Sequence, residues 1–463
     1  MIRLFNVYYP KPMLVLLLCE ALLVSGSFLL AAAFECLIGP DGHIALMDVL
    51  LFENGLIKIA GITGFTLLLT YYFDLYGPRR ISESWEIYFR LLLVLSALSF
   101  VLAGIVYFVP DFDMGPYILA VGVFLLTIFL VFWRWAYDRI IGIPIFRERV
   151  YVLGCGNRAR TVVELLRSTR DSGMEVVSWN GENEVEGAFD RFTSDLRAFS
   201  SHRSSIDRVI VAMEDRREAM PVRELLELRL RGVVIENSSA LLERLSGKLP
   251  LDGLNPSTLI FTDGFRMSAS QQLFRRLLSF SVSFFALVIC LPFIPLIILA
   301  VRLSSPGSIF FSQTRVGQRG LPFTAYKFRT MRKDAEAQGA VWAIKDDPRV
   351  TSVGRFMRST RLDEIPQLWN VLRGDMAFVG PRPERPEFVQ WLSQEIPFYD
   401  LRHMIRPGIT GWAQVRYRYG ASLEETKHKL EYDLYYVKHQ SIGLDLLIMF
   451  ETIKTIILRR GAQ

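Results

Sequence analysis

The sequence has little cysteine and little histidine. Its four cysteines (Cys19, Cys36, Cys155 and Cys290) are scattered over 463 residues with no C-x-x-C pair, and three lie in strongly apolar runs. That arrangement excludes a disulfide framework and a cysteine-based zinc site. His202, His403, His428 and His439 have no metal-like spacing and read as surface or packing residues. Lysine and arginine are missing from the segments 39–54 and 110–116, which instead carry Asp41, Asp48, Glu53, Asp111 and Asp113. Polar residues in general are scarce, with 51% hydrophobic and a mean hydropathy of +0.27. An ordinary soluble enzyme is excluded by that balance, so part of the chain must lie in a membrane.

Four apolar stretches of membrane-spanning length occupy about 13–38, 55–76, 87–109 and 115–137. Arg3, Lys11, Arg79, Arg80, Arg134, Arg139, Arg147 and Arg149 flank them on one side, opposite the acidic connections. The positive-inside rule then predicts a four-helix bundle with both termini in the cytoplasm. Lys58 reads as an interfacial anchor whose stem snorkels. The basic start MIRLFNVYYPKP leads into further apolar segments, so the first span is expected to remain uncleaved. A net charge of +6 and a pI near 9.1 suit anionic headgroups, phosphorylated substrates or nucleic acid without choosing among them. The abundant aromatics fit spans and interface belts and do not require base stacking.

From Arg149 the pattern RVYVLGCGNRARTVVELLRS, followed by IDRVIVAM and GVVIENS, predicts α/β alternation on a parallel sheet. Gly154-x-Gly156-x-x-Ala159 resembles a dinucleotide turn, in which glycines let the backbone approach a pyrophosphate. The third glycine is replaced, and no acid ends the next strand convincingly. A scaffold or dimerisation domain with a Rossmann-like fold therefore suits the segment better than a nucleotide site. A fifth apolar stretch, 277–301, follows Arg275 and Arg276 and precedes Arg302, with Pro292 and Pro295 past its middle. Basic residues at both ends and a proline break predict a re-entrant helix–break–helix; a kinked fifth span is the alternative.

Beyond Arg302 the chain is dense in basic residues and Gly-Pro turns, which suits phosphate handling. Asp363 and Glu364 precede the periodic run Leu368, Trp369, Val371, Leu372, with Pro366 where only a first helical turn tolerates it. The pair is thus expected to cap that helix at its positive dipole end. Adjacent helical residues point about 100° apart, so two carboxylates there are either an ordinary acidic helix cap or a pair that divides the work, one as nucleophile and one as magnesium ligand. Arg358, Arg361 and Arg382 are close in sequence and would neutralise a diphosphate.

Residues from about 268 to 463 resemble the bacterial sugar transferase family, the monotopic phosphoglycosyl transferases. The likeness is carried by SPGSIFFSQTRVGQRGLPFTAYKFRTM (305–331), LDEIPQLWNVLRGDMAFVGPRP (362–383), RPGITGWAQV (406–415) and EYDLYYVKHQSIGLDL (431–446). With the preceding spans and middle domain, the whole resembles the long form, exemplified by undecaprenyl-phosphate galactose or glucose phosphotransferases. The resemblance implies transfer of a sugar 1-phosphate from a UDP-sugar to polyprenyl phosphate with release of UMP, initiating exopolysaccharide, O-antigen or capsule synthesis. It further implies a Mg2+ cofactor, inner-membrane lipid contacts with the catalytic domain facing the cytoplasm, a homodimer, and no nucleic-acid partner. By position it makes Asp363 the nucleophile and Glu364 its magnesium-associated partner, with Asp363 a second metal contact and Arg358 paired with Asp363. Pro381, Arg382 and Pro383 form the Pro-Arg-Pro motif, with Arg382 on the donor phosphates, and Lys327 and Arg329 are further phosphate candidates. The family's Ser-Pro break is Leu291-Pro292 here, and an acid common after the entry arginines is Ser279.

The expected organisation is a transmembrane bundle at 1–140, a Rossmann-like domain at 141–265, a linker and re-entrant helix at 266–301, and an α-rich catalytic domain at 302–463. Two rivals make different demands. An NAD-dependent oxidoreductase needs a cofactor-reading acid that the sequence lacks, and a non-catalytic scaffold has no use for the intact set Asp363, Glu364 and Arg382.

Overall fold

A computed structural model describes residues 2–4, 6–38, 54–76, 84–109, 114–141, 147–169, 172–179, 206–213, 220–251, 254, 256–262, 264–332, 347–417 and 422–458. The acidic connections, Arg79, Arg80 and His202 lie outside these residues. The chain divides into two compact units, one of Met1–Ile2 with Tyr9–Ser238, the other of Arg3–Tyr8 with Ser239–Gln463.

The first unit begins with apolar helices α1 (Lys11–Ile38), α2 (Gly55–Tyr72), α3 (Ser84–Phe108) and α4 (Pro116–Ile141), each long and apolar enough to cross a membrane. Val24, Phe28, Leu91, Val94, Leu98, Leu126 and Leu130 form their shared core. Gly122 lets α4 approach α1, since a Cβ there would sit 2.5 Å from the Phe28 ring. Thr63, Thr66 and Thr70 donate to carbonyls one turn back at 2.7–2.8 Å, which satisfies their hydroxyls inside an apolar helix. A buried ion pair also lies among these helices, Arg134 Nε to Glu20 Oε1 at 2.6 Å.

Strands β1 (Glu148–Leu153), β2 (Met174–Trp179), β3 (Arg208–Val211) and β4 (Val234–Asn237) follow, in the sheet order β2-β1-β3-β4, all parallel. Helix α5 (Asn157–Ser168) leaves β1 as the sequence predicts, burying Ala159, Val162, Val163 and Leu166. The glycines of the turn meet a backbone requirement. A Cβ on Gly154 would lie 2.7 Å from the Ala212 carbonyl carbon, and Gly156 sits at φ 83°, ψ −169°, a region open to glycine.

In the second unit, the long helix α6 (Ala269–Cys290) starts at a Ser268/Gln271 capping box and continues through a 3-10 turn, Leu291–Phe293, into α7 (Ile294–Ser304). The hairpin β5 (Phe310–Val316) and β6 (Pro322–Phe328) is antiparallel. Helices α8 (Ser352–Ser359) and α9 (Gln367–Arg373) bracket the acidic pair, and β7 (Ala377–Val379) pairs in parallel with β8 (Gly408–Thr410). Helices α10 (Leu423–His439) and α11 (Ile442–Ile457) end the described chain. One core joins Ile297 and Val301 of α7 to Phe328, Met357, Ile365 and Leu368, so the acidic turn rests directly on the apolar helix.

Candidate active site

The acidic pair is set by a reversal of the backbone. Arg361 takes a left-handed conformation (φ 59°, ψ 15°), uncommon for a residue with a side chain, and the 3-10 turn Leu362–Glu364 follows. Helix α9 starts only at Gln367, after Pro366, which provides no side-chain cap. Asp363 and Glu364 therefore do not cap that helix, as the sequence pattern had suggested. Left-handed Arg361 turns the chain ahead of the pair, and the fixed φ of Pro366 opens a new helix behind it.

Both carboxylates are buried, 7% and 6% exposed, yet their surroundings differ. Glu364 Oε1 accepts from Arg382 Nη2 at 2.7 Å and from Lys327 Nζ at 3.0 Å, while Oε2 faces Arg361 Nη1 at 3.4 Å. Asp363 has Lys327 Nζ at 3.9 Å and, among the described residues, no hydrogen bond to its carboxylate. Burial pushes the Asp363 carboxyl above the usual carboxylate range, with the Glu364 charge adding to the rise against Lys327, Arg382 and Arg358. Burial acts on Glu364 too, but Arg382, Lys327 and Arg361 outweigh it and hold that group well below the usual range. One carboxylate is locked in its ionised form, and its neighbour is left poised.

Lys327 comes from β6, where alternation sends Phe328 into the core and Lys327 to the acidic pair. Asn370, fully buried on α9, fixes that strand: its Nδ2 donates to Thr324 O at 2.7 Å, and its Oδ1 accepts from Tyr326 N at 3.2 Å. Neither this role nor the Arg361–Glu364 contact was assigned from sequence, because an asparagine in an apolar run does not show its distant partners. Arg382 follows β7 in the Pro381-Arg382-Pro383 turn. Three glycines permit that turn, since a Cβ on Gly380, Gly408 or Gly411 would meet backbone atoms at 2.5, 2.1 and 2.2 Å.

The other sequence candidates sit differently. Arg358 donates from Nε to Thr330 Oγ1 at 2.9 Å, and the Asp363 charge acts on it without a direct ion pair. Arg329 donates to the carbonyls of Ser305 and Pro306 at 2.6 and 3.2 Å, fastening the chain that leaves α7. It is therefore not among the groups on the acidic pair. Pro381 and Pro383 contribute backbone. Among the described residues no group of three or more His, Cys, Asp or Glu side chains stands ready for a metal. Two carboxylates suit a hard cation brought largely by substrate phosphates, with Asp363 free of hydrogen bonds among the described residues and Glu364 Oε2 only loosely held.

A membrane protein with a parallel-sheet region and a buried, cation-ringed carboxylate pair on an apolar helix is the class that fold and site define. Residues 270–459 match the bacterial sugar transferase family. The chain is 48% identical over 182 residues to a UDP-N-acetylgalactosamine-undecaprenyl-phosphate N-acetylgalactosaminephosphotransferase of Aeromonas hydrophila, covering 38% of this chain and 43% of that protein. It is 32% identical over 324 residues to an undecaprenyl-phosphate glucose phosphotransferase of Komagataeibacter xylinus, covering 68% and 60%. A UDP-glucose:undecaprenyl-phosphate glucose-1-phosphate transferase of Caulobacter vibrioides is 38% identical over 219 residues, covering 46% of this chain and 82% of that protein. The match thus spans about half the length of the first two relatives and most of the third. The chain belongs to the bacterial sugar transferase family.

Proposed function

We propose that the protein transfers a sugar 1-phosphate from a UDP-sugar to undecaprenyl or another polyprenyl phosphate, releasing UMP, as the first membrane step of a surface polysaccharide. The observation that carries this reading is the divergence of Asp363 and Glu364. Adjacent acids with opposed environments take different roles. An Asp363 oxygen, free of hydrogen bonds among the described residues, attacks the β-phosphorus of the donor; the bond from that phosphorus to the bridging oxygen breaks, and UMP leaves with the electron pair. An oxygen of the carrier phosphate then attacks the same phosphorus, and the Asp363 carboxylate departs. Arg382 and Lys327 stabilise the phosphate charge, and Glu364 holds both cations in place beforehand. Asp363 and Glu364 would hold Mg2+ together with the donor diphosphate; the ion supplies charge neutralisation there.

The topology proposal has its own support. The apolar element Ala269–Ser304 is tied at both ends to one polar unit. Near its start Arg275 Nε meets Asp445 Oδ2 at 2.6 Å, and near its end Ile297 and Val301 join the core under the acidic turn. Between them Phe284, Phe285, Ile289, Leu291 and Phe293 are exposed. An element that leaves and rejoins the same domain favours re-entry, with the catalytic domain on the cytoplasmic face of the inner membrane. Residues Arg3–Tyr8, just ahead of α1, belong to that same unit, which favours a cytoplasmic N-terminus as well.

The test is a donor panel of UDP-galactose, UDP-glucose and their N-acetylated analogues with UMP as readout. UMP is expected with donor alone, up to about one equivalent of enzyme, and continuous release on adding polyprenyl phosphate. Release strictly dependent on the carrier would remove the covalent step. No release with any donor would remove the reaction.

A further inference from the structure

The turn that carries Arg382 is held at every carbonyl. Pro381 O accepts from Gly408 N at 2.9 Å, Arg382 O from Arg402 Nη2 at 2.8 Å, Pro383 O from Arg315 Nη1 at 3.1 Å, and Glu384 O from Val316 N at 2.9 Å. The Glu384 carboxylate is clamped by Lys429 Nζ at 2.7 Å; burial would raise it, but Lys429, Arg402 and Arg315 hold it at about 2. Two of the four carbonyl donors are side chains, and Arg402 is the deeper, with 3% exposed.

Arg402 is itself fixed from three sides. Nη2 also meets Asp433 Oδ2 at 2.8 Å, Nη1 donates to Tyr399 Oη at 2.7 Å, and Cζ lies 5.2 Å from the Tyr399 ring centroid. A buried ion pair is a poor source of stability, because an apolar pair of similar volume commonly serves as well. An apolar pair cannot, however, donate to the carbonyl of the residue whose side chain reaches Glu364 at 2.7 Å. We infer that Arg402 is a positioning residue that aims Arg382, acting through the main chain and without touching substrate. The inference rests on the assignment of Arg382 to the donor phosphates.

The experiment replaces the ion pair by an apolar one, Arg402→Met with Asp433→Leu, in the full-length protein. Thermal stability should be largely kept, while kcat/KM for donor falls about 10- to 100-fold, the cost typical of a small misplacement in a site. As for Arg382→Lys, the loss should fall chiefly on KM for donor. In an Arg382→Lys background the same pair of changes should add little, because both act on one group. If the double variant does not accumulate, Arg402→Lys alone enters the same cycle. A stable variant with unchanged kcat/KM for donor, or losses that multiply in the Arg382→Lys background, would overturn the role.

A second readout needs no substrate. Amide exchange in the peptide spanning 380–385 should quicken in the variant while the α9 segment is unchanged. That outcome separates a failure of this inference from a failure of the reaction proposed above, which the wild-type donor panel decides.

Discussion

Glu364 and Arg382 meet at 2.7 Å in a site where the adjoining Asp363 accepts no hydrogen bond among the described residues. Glu364→Gln should therefore do two things. It leaves Arg382, Lys327 and Arg361 without their shared counter-charge, so turnover should drop about 100-fold, as is typical when preorganised charge is disturbed. It also removes the like charge that raises Asp363, so the acid limb of kcat/KM should move to lower pH. An unmoved limb would show that the two carboxylates are not coupled.

The wild-type acid limb follows from the same geometry. The nucleophile proposed above must act deprotonated, and burial lifts the Asp363 carboxyl above the ordinary carboxylate range. Activity should be full above that raised value and be lost as pH falls through it. The fall should thus begin at a higher pH than an exposed aspartate would give, read as kcat/KM for donor across the acid range. A limb at the position of an unperturbed aspartate would count against Asp363 as the titrating group.

Asp363→Asn keeps the side chain's size and removes the proposed nucleophile. Both UMP release and transfer should be abolished, with no phosphosugar adduct by intact-protein mass measurement. Arg382→Lys replaces a fork by a point charge and should chiefly raise KM for the donor. If Asp363→Asn retained substantial transfer without an adduct, double displacement would have to be abandoned.

Much of this was legible in the sequence because it is local. Hydropathy gave the four apolar helices, β-rich runs gave the strands at 148–153, 208–211 and 234–237, and the Asp-Glu and Pro-Arg-Pro motifs pointed to residues that do converge. What escaped depends on distance along the chain or on one dihedral. The Arg402–Asp433 pair spans 31 residues and the Glu384–Lys429 pair 45, and no periodicity announces such partners. The left-handed Arg361 displaced the carboxylates from the helix start, and nothing about an arginine signals that backbone. His439, expected as a surface or packing residue, is a packing one, mostly enclosed; what the sequence does not show is its partner, Glu243 Oε1 at 2.6 Å from Nε2.

The glycines around the Arg382 turn make a stability prediction. A Cβ on Gly408 would lie 2.1 Å from Gly380 N and 2.4 Å from Thr410 O, both backbone atoms that cannot step aside cheaply. Gly408→Ala should cost about 1–3 kcal/mol, as overpacking typically does, and reduce turnover with it. Thermal unfolding is the measurement; Gly320→Ala, where φ is 78° and the Cβ position is open, shows what backbone strain without a clash costs. An unchanged unfolding temperature in Gly408→Ala would mean that the interlock of β7 and β8 is not what matters.

Topology can be tested at a residue on the catalytic side. Ser352 is exposed at the start of α8, next to Thr351, whose hydroxyl accepts from Gly354 N at 3.0 Å and caps the helix. Because that cap uses Thr351, a cysteine at 352 should leave the fold intact. A re-entrant 269–304 element keeps α8 in the cytoplasm, whereas a spanning element with the same N-terminus would carry it outside. Ser352→Cys, in a chain with Cys19, Cys36, Cys155 and Cys290 replaced by serine, should resist a membrane-impermeant maleimide in intact cells and react once the inner membrane is opened. Labelling from outside would place Asp363 and Glu364 away from cytoplasmic nucleotide sugars, and the donor assignment would fall with the topology.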